Sequence, residues 1–136
     1  MAFTALDVKN LREKTGVGMM ECKKALTEAD GDMDRAFEIL RERGLAASEK
    51  KASRIAAEGA IIAYTDEDAK VTVLLEINSE TDFVGKNDKF QEFGLNVAKT
   101  IAANKPASVE ALADLTLAGS DRTVTENLND LILVIG

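Results

Sequence analysis

The sequence predicts an α+β fold, with an N-terminal three-helix bundle followed by an α+β core that contains a β-hairpin and packed helices. Apolar residues recur at three- and four-residue spacing through residues 1–45, which is the period of an amphipathic helix. Residues 70–78 alternate apolar and polar side chains, as a strand with one buried face does. We therefore predict a bundle at 1–45, a helical linker at 46–57 and an α+β core subdomain at 58–136.

The first helix is predicted from its two ends. Thr4 can cap it, because a threonine hydroxyl accepts a hydrogen bond from the free N–H groups of the first turn. The helix is expected to stop at Thr15-Gly16. The segment Gly16-Val17-Gly18 then breaks the helical pattern, since glycine adopts backbone conformations that are closed to other residues.

Two further helices complete the predicted bundle. The second begins near Gly18, and the third is capped by Asp32 and ends at Gly44, a residue type that often follows a helix. A bundle of this size has only a marginal core. The inward positions predicted for these helices are Met19, Cys22, Ala25 and Leu26, then Met33, Ala36, Phe37 and Leu40.

The hairpin is predicted from two strands, Glu58–Thr65 and Lys70–Asn78, joined by the polar turn Asp66–Ala69. A two-stranded hairpin is marginal by itself, so we expect this subdomain to be incomplete. The side chains predicted to face its interior are Val71, Val73, Leu75 and Ile77.

Helical spacing returns after Asn87 and ends at Lys105-Pro106, and residues 108–114 are compatible with a short helix. The segment Thr123–Glu126 matches a capping box and opens a last helix, which is predicted to stop at Gly136. The inward positions predicted for the two longer helices are Phe90, Phe93, Val97 and Ile101, then Val124, Leu128, Leu131, Ile132 and Ile135.

Composition narrows the classes of function. The absence of histidine removes imidazole acid–base chemistry and every metal site that needs imidazole. A net charge of −7 argues against binding to bare nucleic acid, which needs a basic face. The single Cys22 cannot form an internal disulfide, and no stretch approaches the roughly 20 apolar residues of a membrane helix. We expect a cytoplasmic protein-binding chain that is not an enzyme and has no metal, cofactor or small-molecule substrate of its own.

The first candidate binding segment follows the Gly16–Gly18 break. Met19 and Met20 are adjacent at the start of a helix, so they cannot both face one small core. Exposed methionine is an adaptable binding contact. The alternative is that both methionines cover the core of an undersized bundle.

The second candidate segment is the turn after the second strand, Asn78–Val84. In one interpretation, Thr81 caps a helical turn and Phe83 folds back onto the hairpin. In the other, the turn projects, with Phe83 as a wedge and Asp82 as an acceptor aimed at a partner.

Two groups of carboxylates carry weaker hypotheses. Asp66–Asp68 lack the spaced ligands and the glycine of a calcium loop, which indicates a solvated turn. A hydrolase that pairs Asp82 with Glu80 or Glu76 would need two carboxylates across a cleft. Glu80 and Asp82 share one turn, which disfavours this interpretation.

Two segments resemble the signature sequences of the elongation factor Ts family. The first is Leu11–Leu26, LREKTGVGMMECKKAL, and it continues through Gly31–Gly44. The second begins at Glu76–Asn78, passes through Thr81–Val84 and ends at Phe90. Both occur in the family's order, and the resemblance covers essentially the whole chain.

The resemblance implies a three-helix module like ubiquitin-associated domains, then an α+β core, in a chain longer than this one. It implies a cytoplasmic guanine-nucleotide exchange factor that acts on the GDP and magnesium bound to elongation factor Tu. The residues that match its binding surface are Arg12, Met19, Met20, Lys23, Asp82 and Phe83. The first four would dock on a helix of the partner's GTPase domain. The last two would insert beside its magnesium site and displace the groups that hold the ion.

The alternative is a ubiquitin-associated-type protein-binding module without exchange activity. Such domains usually present Met-Gly-Phe or a relative of it in the first loop. This chain has Gly16-Val17-Gly18 followed by two methionines, which disfavours the alternative.

Overall fold

The computed structural model describes residues 2–135 and confirms the α+β class. This part of the chain contains seven helices and a two-stranded antiparallel sheet. It forms two compact units: the first runs to Ala52 and takes up the chain again from Asn129, and the second is Ser53–Leu128. The partition predicted at residues 45 and 58 remains a prediction, because compactness does not show which segments fold independently. Within the described range, no helix is long and apolar enough to cross a membrane.

Three helices build the first unit. They are α1 (Ala5–Thr15), α2 (Met19–Glu28) and α3 (Met33–Lys51). Their inner faces form one apolar core, in which Leu11, Cys22 and Leu26 are fully buried. Met33 and Phe37 are only partly buried against this core. The arrangement is compatible with a bundle like that of ubiquitin-associated domains.

The start of α1, the end of α1 and the start of α3 lie where local sequence features predict them. Thr4 and Asp7 form a reciprocal capping box at the start of α1. Asp32 accepts hydrogen bonds from two N–H groups in the first turn of α3. α1 stops where Gly16 adopts a φ of 72°, in the left-handed region that favours glycine.

The predicted end of the third helix at Gly44 is wrong. α3 continues through Gly44 to Lys51, and residues 52–57 are not helical. Gly44 is buried, and a Cβ atom at this position would lie 2.8 Å from the carbonyl oxygen of Asn129. The glycine therefore permits a close approach of two backbones, whereas the sequence pattern suggested a helix stop.

The second unit contains the predicted hairpin and three helices. Its elements are β1 (Glu58–Asp66), β2 (Val71–Ser79), α4 (Asp82–Gly85), α5 (Asp88–Asn104) and α6 (Val109–Ala113), and α7 (Val124–Ile135) begins in it. The strands pair antiparallel, with Ile62 opposite Leu75. Ile62 and Val73 are buried on the face that packs against α5, as the alternating pattern predicts.

The predicted starts of the later helices are confirmed. Asn87 caps α5 and Ser108 caps α6. Thr123 and Glu126 form the reciprocal capping box at α7, with N···O distances of 3.2 and 3.1 Å. The stripe predicted for α5 faces the interior, since Phe90 is buried and Phe93 and Val97 are buried with it.

The inward face predicted for α7 is only partly right. Val124 is buried, but Leu128 is 39% exposed. Leu133 and Val134, which the spacing did not select, pack against the core of the first unit. A single apolar stripe does not describe α7, because the helix begins in one unit and its last residues belong to the other. The predicted stop at Gly136 lies outside the described residues.

Gly44→Ala tests the close approach at α3. In an exposed helix this change stabilises by about 1 kcal/mol, because alanine has the higher helix propensity. At Gly44 the added methyl group meets the carbonyl oxygen of Asn129, so we expect the free energy of unfolding to fall by about 1–3 kcal/mol in urea titrations.

The control is Gly18→Ala, which adds the same methyl group where no heavy atom beyond the adjacent residues lies within 4 Å. We expect this change to cost less than about 1 kcal/mol. A Gly44→Ala variant as stable as the unmodified chain would contradict the packing described here.

Candidate protein-binding site

The junction between α1 and α2 displays both methionines. Met19 is 55% exposed and Met20 is 65% exposed. The interpretation in which both cover the core is therefore wrong, and so is the placement of Met19 on the inner face of α2. Val17 is 3% exposed and belongs to the core at this end of the bundle.

Helical geometry places Met19 and Met20 on the same side of α2 as Lys23. Side chains three and four residues apart are neighbours on a helix surface, so both methionines lie beside Lys23. All three side chains are exposed. We call Met19, Met20 and Lys23 the methionine stripe. It combines two flexible apolar side chains with one cation, a combination suited to a partner surface that is apolar and carries acidic groups.

Arg12 lies in the last turn of α1, where its carbonyl oxygen accepts the N–H of Gly16 at 2.7 Å. Its side chain is exposed. Among residues 2–135, neither Arg12 nor Lys23 forms a salt bridge, whereas Lys24 pairs with Glu21 at 3.3 Å. Both side chains are thus accessible to carboxylates of a partner.

Cys22 lies in the core beneath the methionine stripe. Its side chain is fully buried, and its thiol donates a hydrogen bond to the carbonyl oxygen of Val17 at 3.5 Å. Burial raises the pKa of the Cys22 thiol, although the Thr15 hydroxyl and the Arg12 guanidinium partly counteract this. A buried thiol with a raised pKa is a packing residue rather than a nucleophile.

The second candidate segment forms a single helical turn after β2. The predicted cap at Thr81 is confirmed, because its hydroxyl accepts the N–H of Val84 at 3.3 Å. The hydroxyl of the buried Ser79 donates to the carbonyl oxygen of Thr81 at 2.7 Å. We call Thr81–Gly85 the tip.

Phe83 projects from the tip. It is 82% exposed, so the interpretation in which it folds back onto the hairpin is wrong. Val84 is half-buried and Gly85 is buried, and the capped turn directs these residues inward instead. An exposed phenylalanine leaves about 1.5–3 kcal/mol of burial free energy unrealised, which a partner surface can supply.

Asp82 is exposed beside Phe83 and is only weakly engaged. Its carboxylate lies 4.0 Å from the ammonium group of Lys86, and both side chains are more than half exposed. Glu80 pairs with a different cation, Arg54, at 3.5 Å. These solvated pairs do not form two carboxylates across a cleft, so the geometry does not favour the hydrolase hypothesis.

A cavity of about 100 Å³ lies in the first unit. Its walls include Lys14, Phe37, Arg41 and Leu133. None of the six predicted site residues lines it. The candidate site consists of exposed surfaces, as in a protein that binds other proteins, rather than of a pocket.

Sequence reasoning did not select the residues that hold the tip. The side-chain amide of Gln91 donates a hydrogen bond to the carbonyl oxygen of Gly85 at 2.5 Å. A Cβ atom on Gly85 would lie 2.8 Å from the carbonyl oxygen of Gly59. Both contacts depend on how α5 and β1 meet the tip, and no local pattern reveals them.

Comparison with known proteins assigns the chain to a family. Residues 80–136 match the family model described as Elongation factor TS. The chain is 52% identical over 136 residues to elongation factor Ts of Syntrophotalea carbinolica, an alignment that covers all of the chain and 44% of the relative. It is 54% identical over 134 residues to that of Clostridium novyi, covering 98% of the chain and 44% of the relative. The chain belongs to the elongation factor Ts family.

The family assignment confirms the resemblance read from the two signatures. A third elongation factor Ts, from Acetivibrio thermocellus, is 64% identical over 103 residues, which are 76% of the chain and 48% of the relative. The chain thus spans just under half the length of these relatives. The family model begins one residue before the tip, whereas the longer alignments also include the methionine stripe. The similarities assign no role to single residues, so the six site residues remain predictions.

The raised pKa of Cys22 predicts a pH dependence of stability. As pH rises, the unfolded chain loses the thiol proton first, because its pKa is the lower one. The contribution of the buried thiol to the free energy of unfolding is fully present below about pH 8.5. Above that pH it falls by up to about 1.4 kcal/mol per pH unit. The free energies of unfolding of the chain and of Cys22→Ala, measured in urea from pH 7 to 10, should therefore converge. If the difference between these two free energies stayed constant from pH 7 to 10, it would contradict the burial of the thiol.

Proposed function

We propose that this chain is a guanine-nucleotide exchange factor that promotes GDP release from elongation factor Tu during translation elongation. The tip carries the proposal, because Phe83 is 82% exposed on an ordered turn beside the accessible Asp82. Membership of the elongation factor Ts family supports it. The exposure of Arg12 and of the methionine stripe supports it further.

In the proposed mechanism, Asp82 and Phe83 enter beside the magnesium site of elongation factor Tu and displace the groups that hold the ion. An exchange factor must bind the nucleotide-free partner more tightly than the nucleotide-bound one, and the effect is reciprocal. Burying Phe83 contributes about 1.5–3 kcal/mol. A shift of about 10⁴-fold needs about 5.5 kcal/mol, so one phenylalanine is insufficient. Loss of magnesium coordination supplies the remainder, because the ion compensates much of the phosphate charge.

The tip is already ordered in the free chain, and this favours the proposed mechanism. Fixing the backbone of a flexible segment costs about 1–2 kcal/mol per residue, or roughly 4–8 kcal/mol for four residues. The turn Asp82–Gly85 is already capped and hydrogen-bonded in the free chain. Most of this cost is therefore absent when the tip binds, and more of the burial free energy of Phe83 appears as affinity.

The methionine stripe and Arg12 have a different role in the proposal. They dock on a helix of the partner's GTPase domain and make the same contacts whether or not nucleotide is bound. Contacts that do not distinguish two states add affinity but cannot shift the equilibrium between them. The stripe therefore holds the complex together, while the tip changes the affinity of the partner for nucleotide.

Charge and composition agree with a protein partner. The second unit has thirteen acidic and seven basic residues, which disfavours direct contact with nucleic acid. We propose that the chain acts in the cytoplasm, where translation takes place, and uses no cofactor of its own. The GDP and magnesium it affects belong to the partner. It changes the rate of a dissociation step and makes or breaks no covalent bond, so it is not an enzyme in that sense.

Titration of the GDP release rate against chain concentration separates the two roles. Arg12→Ala and Met19→Ala should raise the half-saturating concentration by about tenfold, equivalent to about 1.4 kcal/mol, and leave the plateau rate unchanged. Asp82→Ala and Phe83→Ala should lower the plateau rate by about 10- to 100-fold, because they act within the assembled complex. Release of a fluorescent GDP analogue from elongation factor Tu provides both quantities.

Two matched variants control for nonspecific effects. Leu74→Ala removes an apolar side chain that is 76% exposed in the same unit as Phe83, and Lys24→Ala removes a cation next to Lys23. Both should behave like the unmodified chain. Equal losses of plateau rate in all four site variants would contradict the division of roles.

The rate of GDP release measured with the unmodified chain tests the proposed function as a whole. If it does not accelerate release, a pull-down with elongation factor Tu distinguishes two cases. Binding without acceleration would favour a protein-binding module without exchange activity, and NMR titration with ubiquitin then tests the ubiquitin-associated alternative. The absence of binding would contradict the proposed partner.

A further inference from the structure

Two contacts from outside the tip hold its last residue, Gly85. The amide of Gln91, in the first turns of α5, donates to the carbonyl oxygen of Gly85 at 2.5 Å. The backbone of Gly85 also lies directly against that of Gly59 in β1. These contacts fix the last residue of the turn that carries Phe83.

The Gln91 amide is not needed to form α5 itself. Asn87 caps that helix and accepts the N–H groups of Lys89 and Phe90. The backbone N–H of Gln91 bonds to the carbonyl oxygen of Asn87 within the same helix. The side chain instead satisfies a carbonyl group at the end of α4, where a helix of one turn leaves such groups without an internal partner.

We propose that Gln91 is a positioning residue for the tip: through the carbonyl group of Gly85 it fixes the direction in which Phe83 projects, without touching the partner. This inference rests on the proposed function. Without the Gln91 hydrogen bond, the carbonyl group at the end of the four-residue turn loses its side-chain donor, while the cap at Thr81, the hydrogen bond from Ser79 and the packing of Gly85 remain. A turn held less firmly presents Phe83 in more orientations, so the assembled complex releases nucleotide more slowly.

Gln91→Met tests the proposal, because methionine has a similar length and shape but no donor group. We expect the plateau rate of GDP release from the proposed GTPase partner to fall about three- to tenfold. The half-saturating concentration should change less than about twofold, because the methionine stripe is intact. Gln91→Lys retains a donor of similar reach and should restore the plateau rate to within about twofold of the unmodified chain.

Asn104→Leu is the matched control. Asn104 also lies on α5 and is exposed, and its side-chain amide donates to the backbone carbonyl group of Thr100 at 2.9 Å. This variant loses the same kind of hydrogen bond at the far end of the helix. It should lower the free energy of unfolding about as much as Gln91→Met does and leave the plateau rate unchanged. An equal loss of plateau rate in both variants overturns the positioning role, as does a Gln91→Met plateau equal to that of the unmodified chain.

Hydrogen exchange in the free chain separates this inference from the proposed function. The N–H groups of Lys86 and Asn87 bond to the carbonyl oxygens of Asp82 and Val84 and report opening of the turn. Their exchange should be at least about threefold faster in Gln91→Met and unchanged in Asn104→Leu. If the unmodified chain fails to accelerate GDP release, the proposed function is wrong, and faster exchange still supports the hold of Gln91 on the tip. Unchanged exchange in Gln91→Met overturns that hold whatever the release assay shows.

Discussion

The approach of the Gly85 backbone to that of Gly59 determines where the tip lies. Gly59 adopts a φ of 138°, and a Cβ atom there would come within 2.1 Å of the carbonyl oxygen of Ile77. A Cβ atom on Gly85 would in turn lie 2.8 Å from the carbonyl oxygen of Gly59, so neither glycine has room for a side chain. Phe83, two residues before this fixed end of the turn, is 82% exposed. Two residues without side chains thus hold the inner end of the turn that carries Phe83.

The tip and the methionine stripe expose apolar side chains in different ways. At the tip, a rigid aromatic ring with few rotatable bonds projects from a hydrogen-bonded turn. At the α1–α2 junction, Met19 and Met20 are long, flexible side chains on a helix whose inner face is already filled. Rigid display favours a single geometry of contact, and flexible display adapts to an irregular one. This contrast agrees with a tip that discriminates between partner states and a stripe that only holds the partner.

Local chemistry explains why much of the fold could be predicted from the sequence. Thr4, Asp32, Asn87 and Thr123 each satisfy N–H groups within three residues of themselves, so their roles are visible in short segments. The hairpin was predictable for a similar reason, because alternation of side chains is a property of the strand itself.

The errors concern positions that a distant segment decides. Gly44 has the sequence neighbours of a helix stop, yet its role depends on Asn129, 85 residues further along the chain. Met19 has the spacing of a core residue, but Val17 belongs to the core at that end of the bundle. The six site residues were predicted from the two long signatures and remain predictions. Gln91 was not predicted, because its hydrogen bond reaches back across the start of α5.

The division of the first unit into two stretches of sequence has a consequence for the order of synthesis. Leu133 and Val134 pack against the helices of the first stretch, which ends at Ala52. The ribosome therefore translates about eighty residues after Ala52 before these two side chains are made. At roughly 5–20 residues per second, the ribosome needs about 4–16 s to supply the missing piece. During that interval the nascent bundle exposes the apolar surface that α7 later covers around Gly44. A segment near the end of this chain therefore sets when its first folded unit can be completed.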